Sequence, residues 1–254
     1  MTEQLDTASR IPSVFVGVGS PRQMWDEEWC AELKQWADTM PRPKAILLFS
    51  AHWLHYPVTL GATKPVPLVY DYYNFPRHFY EVQYAAPNAP ELARRFRELL
   101  GERLQVEDSG RGLDHGAFVG LMGMYPDADV PVLEVSIPTY DPKTLFAIGH
   151  ILAPLRDEGV MIMGAGLLTH SAESADANRQ FDGWVVETLE KRDIESLFHY
   201  QEVAPGVQQA LPTVEHFVPL LVAYGAAYAA GGEVRTGVRG FSQGGGSRRS
   251  LQFT

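Results

Sequence analysis

The sequence predicts a single α/β domain built on a mostly parallel sheet with helices on both faces. Three observations lead there. Short apolar, β-branched runs recur along the 254 residues and alternate with stretches of helical periodicity. The runs are apolar throughout, as strands covered on both faces are. No repeat, linker or low-complexity break divides the chain, so residues 1–254 read as one domain, a size that single α/β domains commonly reach.

Residues 13–17 (SVFVG) and 45–50 (AILLFS) are the first two strands. Between them, residues 24–40 carry Trp25, Trp29, Leu33 and Trp36 at spacings of three and four, one face of an amphipathic helix. Residues 58–62 add a short strand. Residues 89–100 (APELARRFRELL) form a helix, with Pro90 in the first turn where a missing N–H costs nothing. Residues 130–137 (VPVLEVSI) and 159–164 (GVMIMG) are two further strands, separated by a helical pattern over 142–155. Later helices are expected at 178–191 and 216–229, and residues 248–253 close an edge of the sheet. Residues 1–10 and the glycine-rich 243–247 are expected to be flexible.

Composition narrows the function. Hydrophobic residues make up 45% and charged residues 20%, the usage of an ordinary soluble globular protein. Twenty-one basic residues face 31 acidic ones, for a net charge of −10, and no basic run occurs. Nucleic acid is therefore excluded as a partner, because phosphate binding needs clustered cations. Cys30 stands alone, so a disulfide-stapled secreted domain is untenable. The polar N-terminus and the lack of any long apolar stretch argue against a signal peptide or a membrane partner, and cytoplasmic localisation is the expectation.

The eight histidines carry the chemical information. His52 follows AILLFSA, His170 follows the 159–164 strand and a small-residue turn, and His115 sits in the turn-rich RGLDHGAF. Open α/β sheets bind ligands outside the carboxyl ends of their strands, so His52 and His170 should share one sheet edge, within about 15 Å, the reach of one pocket. His216 begins the predicted helix in PTVEHFVPLL. A single histidine is more often packed or solvated than a ligand; the shared placement is what marks these four.

The segments PRPKAILLFSAHW, YDYYNFPRHFYEVQYAAP, RGLDHGAFVGLMGMYP, LRDEGVMIMGAGLLTH and LPTVEHFVPLLVAYGAA, in this order, closely resemble the DODA-type (4,5-DOPA extradiol dioxygenase-like) class III extradiol dioxygenases. The resemblance spans about residues 14–253. It implies an open α/β sandwich with a central mixed sheet, and a pocket holding one metal ion, Fe(II) first and zinc second. It also implies that His52 and His216 are metal ligands, that His170 is the acid/base, and that His115 steadies the substrate or bound oxygen. Imidazole suits these tasks, since its neutral form binds iron and zinc and its ordinary pKa allows proton transfer near neutrality.

One position departs from the family pattern. Where the first strand normally ends in His-Gly-Ser-Pro and supplies the third ligand, this chain reads Val18-Gly19-Ser20-Pro21. Valine cannot bind a metal, and iron sites for oxygen activation normally use three protein ligands. Val18 should face the same pocket, with His55 and His78 as candidate substitutes. The next residue after the motif, Arg22, either binds a substrate carboxylate through its guanidinium fork or is a solvated helix-start cation. Ser20 and Tyr72 join it as candidate substrate contacts.

Other features read blandly. Gly17-Val18-Gly19 lacks the third glycine and following acid of a dinucleotide fingerprint, and no G-x-S-x-G elbow supports a serine hydrolase. Cys30 is a small apolar residue of the predicted helix. The set Tyr70, Tyr72, Tyr73, Phe75, Phe79 and Tyr80 either lines an aromatic pocket or packs under a long loop. The expected function is extradiol ring opening of a catechol-like or aminophenol-like substrate with O2. The alternatives are a zinc hydrolase or lyase of the same fold, and a metal-free binder of small aromatic ligands.

Overall fold

The structure, a computed structural model, describes residues 10–231, 233–242 and 245–254. The expected flexible segment at the N-terminus lies outside the described residues except for Arg10, as do residues 243 and 244 of the glycine-rich loop. Strands β1 (Ser13–Gly17), β2 (Ala45–Leu54), β3 (Val58–Leu60), β4 (Val106–Asp108), β5 (Val132–Ile137), β6 (Val160–Gly166), β7 (Val234–Val238) and β8 (Ser250–Phe253) form one sheet. Their order is β4-β3-β5-β2-β6-β1-β8-β7. The centre is parallel, with β2 between β5 and β6 and with β6 paired to β1. Antiparallel pairing joins β8 to β1, β7 to β8 and β3 to β5.

Ten α-helices surround it: α1 (Glu27–Asp38), α2 (Pro90–Leu100), α3 (His115–Met124), α4 (Pro142–Leu152), α5 (Pro154–Asp157), α6 (Ala175–Glu190), α7 (Ile194–Phe198), α8 (Tyr200–Val203), α9 (Val207–Ala210) and α10 (Pro219–Tyr228), among the described residues. None is long and apolar enough to cross a membrane. Side chains alternate across the strands, so Val14, Val16, Val18, Ile46 and Leu48 pack beneath α1 and α3. Phe15, Leu47 and Phe49 point the other way, into the core with α4, α6 and α10.

Several expected boundaries shift, each for a local reason. The helix expected from residue 24 begins at Glu27, because Asp26 accepts a hydrogen bond from Trp29 N at 3.0 Å and starts a new helix. Trp25 consequently sits in a preceding one-turn helix, Pro21–Trp25, and is 54% exposed rather than buried. Helix α3 escapes detection because it is apolar on all sides, the mark of a fully buried helix, and carries no periodicity. His115 is therefore its first residue, not part of a turn. His216 lies before α10, whose first residue is Pro219. Strand β8 is interior, and the edge belongs to β7, whose half-polar VRTGV carries no strand pattern.

Helices α4 and α10 cross at glycines. A Cβ on Gly149 would fall 2.1 Å from the Val222 carbonyl oxygen, and one on Gly225 2.3 Å from that of Phe146. Gly149→Ala is expected to destabilise the fold by about 1–3 kcal/mol, the usual cost of overpacking. A urea midpoint equal to that of the wild type would show that the two helices can part freely.

Candidate metal centre

The four histidines selected from the sequence converge at the carboxyl ends of the central strands. His52 projects from the far end of β2, which runs on through Leu54 instead of stopping before the histidine. His216 is held by its main chain against the end of β6: Leu167 N donates to His216 O at 2.9 Å. Gly166 permits this approach, since a Cβ there would fall 2.1 Å from the same oxygen. His170 follows β6, and its N–H donates to Ala210 O at 2.8 Å. His115 opens α3, behind the Asp114 cap, which accepts from Ala117 N at 3.1 Å.

Ring centres lie 3.9 Å apart for His52 and His115, 4.9 Å for His52 and His216, and 4.1 Å for His170 and His216. His52 and His170 are thus neighbours through His216, as the crevice rule requires. His52 Nε2 and His216 Nδ1 are buried with no hydrogen-bond partner among the described residues. Burial, and then neighbouring His115, pushes the His52 imidazole down to about 4. Burial likewise carries His216 well below its ordinary value. Both are neutral at pH 7, the form that binds metal.

These residues fit one ion. Two imidazoles sharing an ion at about 2.1 Å place their ring centres roughly 4.6–5.3 Å apart for angles of 90–110°. The 4.9 Å separation of His52 and His216, with rings at 84°, falls in that interval.

A buried polar floor supports the rings. Ser50 Oγ donates to Asp114 Oδ1 at 2.7 Å and accepts from His52 N at 3.2 Å. Arg111 Nη2 reaches Asp114 Oδ2 at 3.3 Å, and Asp114 N donates to Glu134 Oε2 at 3.1 Å. Complete burial, and then the Asp114 charge, raises the Glu134 carboxyl well above its ordinary value.

Asp71, which sequence reasoning missed, comes from the loop between β3 and α2. Its Oδ1 accepts from His115 Nδ1 at 2.8 Å and His115 N at 3.1 Å, and its Oδ2 faces His52 Nδ1 at 3.6 Å. Burial works to raise its carboxyl, but the His115 hydrogen bonds prevail and hold it below the usual range. The only signal was one acid in the aromatic run YDYYNFP.

The other candidates divide. Val18 is fully buried, on the same sheet side as His52, with a methyl 3.0 Å from where a Cβ on Gly120 would be. His55 is no substitute ligand: it is exposed, and its Nδ1 lies 3.0 Å from Thr59 Oγ1. His78 is exposed against Trp25, away from the cluster. Ser20 caps the Pro21–Trp25 turn, and Arg22 stacks over Phe75 at 5.2 Å. Both line a cavity of about 810 Å³ together with His170, Phe241 and Arg248. The aromatic set is mostly packing. Tyr72 is buried, its hydroxyl donates to Phe79 O at 2.5 Å, and its ring meets His115 edge-on at 5.5 Å, while Tyr73 is exposed.

Residues 7–251 match the LigB family, described as the catalytic LigB subunit of aromatic ring-opening dioxygenase. A 4,5-DOPA dioxygenase extradiol of Beta vulgaris is 38% identical over 229 residues, covering 84% of this chain and 85% of its own. The protein of the same name from Escherichia coli K12 is 32% identical over 235 residues, with coverages of 87% and 86%. The crystal structure of an uncharacterized protein from Escherichia coli K12 has a TM-score of 0.77 at 29% identity, over 96% of this chain and 100% of that one. The matched length and the fold are those of an aromatic ring-cleaving dioxygenase. The chain belongs to the LigB family, and within it to the DODA-type class III extradiol enzymes, which are metal-dependent.

Gly116 ties α3 to this centre, since a Cβ there would fall 2.3 Å from Ser50 Oγ and 2.9 Å from His52 Cδ2. Gly116→Ala is expected to displace the His52 ring and weaken Zn(II) binding by roughly 10–100-fold, the scale on which support of a ligand matters. Chelator competition measures it; unchanged affinity would mean that α3 lifts without moving His52.

Proposed function

We propose that this chain opens the ring of a catechol-like or aminophenol-like substrate at a mononuclear non-haem centre, with Fe(II) the working ion and zinc the other ion this donor set accepts. The observation that carries the reading is the pair of buried, unpartnered imidazole nitrogens on His52 and His216. Neutral nitrogen donors suit both metals. Bound Fe(II) would supply Lewis acidity toward the substrate oxygens and electron exchange with O2.

The protein's own residues do the rest. His170 is exposed at the cavity, with its main chain fixed by Ala210 and its ring stacked on His216 at 18°. It can accept a phenolic proton from the bound substrate and return that proton to the ring-opened product, which retains both atoms of O2. The Arg22 guanidinium at the cavity wall would pair with an anionic substituent, and the Ser20 hydroxyl lies beside it. Tyr72 contributes its ring edge, because its hydroxyl is engaged by Phe79 and burial pushes the phenol up to about 12. His115, the expected substrate-steadying imidazole, has its Nδ1 engaged by Asp71, so only Nε2 is free to act in the site.

The test loads the protein with Fe(II) anaerobically and admits air with a panel of catechols and aminophenols, recording oxygen uptake and the ring-opened chromophore. Oxygen uptake with at least one substrate is expected; its absence across the panel in iron-loaded protein overturns the reading. His170→Ala should lower kcat by roughly 10²–10⁴ and leave KM within a few-fold, because proton transfer contributes chiefly in the transition state. Equal turnover by the two proteins would remove His170 from the acid/base role.

A further inference from the structure

Valine at position 18 leaves the ion one donor short of the three protein ligands that such iron sites normally use. We propose that His115 is the third ligand in this chain, so that His52, His115 and His216 form a three-histidine site with Asp71 as the outer carboxylate. The inference rests on the reading of the cluster as a mononuclear metal centre.

Position favours His115. Its ring centre is 3.9 Å from that of His52, which in turn is 4.9 Å from His216, so His52 lies between two imidazoles; the first separation is shorter than that of two rings already sharing an ion, so the His115 ring must tilt outward to ligate. Orientation favours it too. A ligating nitrogen directs its lone pair in the plane of its ring, so rings that share an ion need planes that cross at the ion. The planes of His52 and His115 are inclined at 46°, and those of His52 and His216 at 84°. His170 fails this requirement with respect to His216: the two rings are stacked 4.1 Å apart at only 18°, so their lone pairs run nearly side by side.

Hydrogen bonding points the same way. Metal-ligating histidines almost always donate the second ring N–H to a carboxylate, carbonyl or water. His115 does so, through Nδ1 to Asp71 Oδ1 at 2.8 Å, which leaves the Nε2 lone pair as its one free donor. The second Asp71 oxygen faces His52 Nδ1, on the opposite side of that ring from the orphaned Nε2. One carboxylate therefore holds the His115 tautomer and lies close to Nδ1 of His52.

Two carboxylates lie close, Asp71 with His52 and His115, and Glu215 with His170 and His216. Asp71 is directed at the Nδ1 atoms, and Glu215, half-buried beside His216, accepts from Thr213 Oγ1 at 2.7 Å. The main chain of His115 is also fixed. This residue is the first of α3, its own N–H donates to Asp71, and the preceding residue is the buried Asp114 cap.

The test is metal binding, read apart from turnover. Wild type, His115→Ala, Val18→His and the double variant are titrated with Zn(II) against a chromophoric chelator, with thermal unfolding as a check on folding. His115→Ala should weaken binding at least about tenfold, since loss of an outer carboxylate alone costs about 10–100-fold. Val18→His in the same chain should restore it to within a few-fold of wild type, because the imidazole returns from the strand side. Asp71→Asn should fall between.

A second measurement needs no variant. Wild type labelled with ¹⁵N-histidine and loaded with ¹¹³Cd should show one-bond coupling at three imidazoles, His115 Nε2 among them. Wild-type affinity in His115→Ala, or cadmium coupling that omits His115, overturns the ligand assignment. Failure of the wild type to bind metal at all would instead overturn the metal-centre reading beneath it.

Discussion

Helix α3 lies against the sheet with no room for a side chain at the contact. A Cβ at Gly116 would collide with Ser50 and His52, and one at Gly120 would press on Val18 and Val16. These two glycines are four residues apart and so share one face of the helix. Gly116 rests over the end of β2 and Gly120 over the end of β1. The first residue of the helix, His115, is thereby brought against His52, and Val18 lies about one helical turn further along the same face. The site depends on this contact because the strand ends supply His52, the helix supplies His115, and neither can reposition without the other.

The floor beneath the contact is costly by ordinary packing standards. Asp114 and Glu134 are both buried; Arg111 reaches Asp114, and burial beside Asp114 raises the Glu134 carboxyl. Replacing such groups with apolar residues is often neutral or stabilising in other proteins. Here the carboxylates have local tasks: Asp114 caps α3 and accepts from Ser50, while Glu134 accepts from Asp114 N. The same burial that raises the Glu134 carboxyl keeps His52 and His216 neutral. A buried, polar floor thus serves a pair of neutral nitrogen donors.

Valine in place of a ligand has a packing consequence as well as a chemical one. It is fully buried and meets Gly120 through a methyl, so the strand end remains closed against α3. Across the cluster, His115 is pinned by Asp71, and His170 remains exposed at the cavity it shares with Ser20 and Arg22. The centre is asymmetric: apolar and closed toward β1, polar and supported toward the 61–89 loop, and open toward His170.

Apolar strands and strongly periodic helices were legible in the sequence, because burial imposes a composition that short windows record. The 13–17 and 45–50 runs and the 89–100 helix are examples, and the histidines at 52, 115, 170 and 216 stood out by their place after strands and turns. Helix α3 was not legible, since a helix buried on all sides has no polar face to set a period. Strands β4 and β7 were not, since their half-polar residues look like loop. Asp71 could not be selected, because nothing local distinguishes a carboxylate that meets two imidazoles from one that meets water. Nor could His55 be set aside: three residues from His52, it has a plausible spacing and the wrong direction. Sequence determined which donors exist and that position 18 is not one of them. Tertiary structure alone decided which of them meet, because His52, Asp71, His115 and His216 are far apart along the chain and are joined only by the approach of α3, the 61–89 loop and the turn before α10 to one sheet edge.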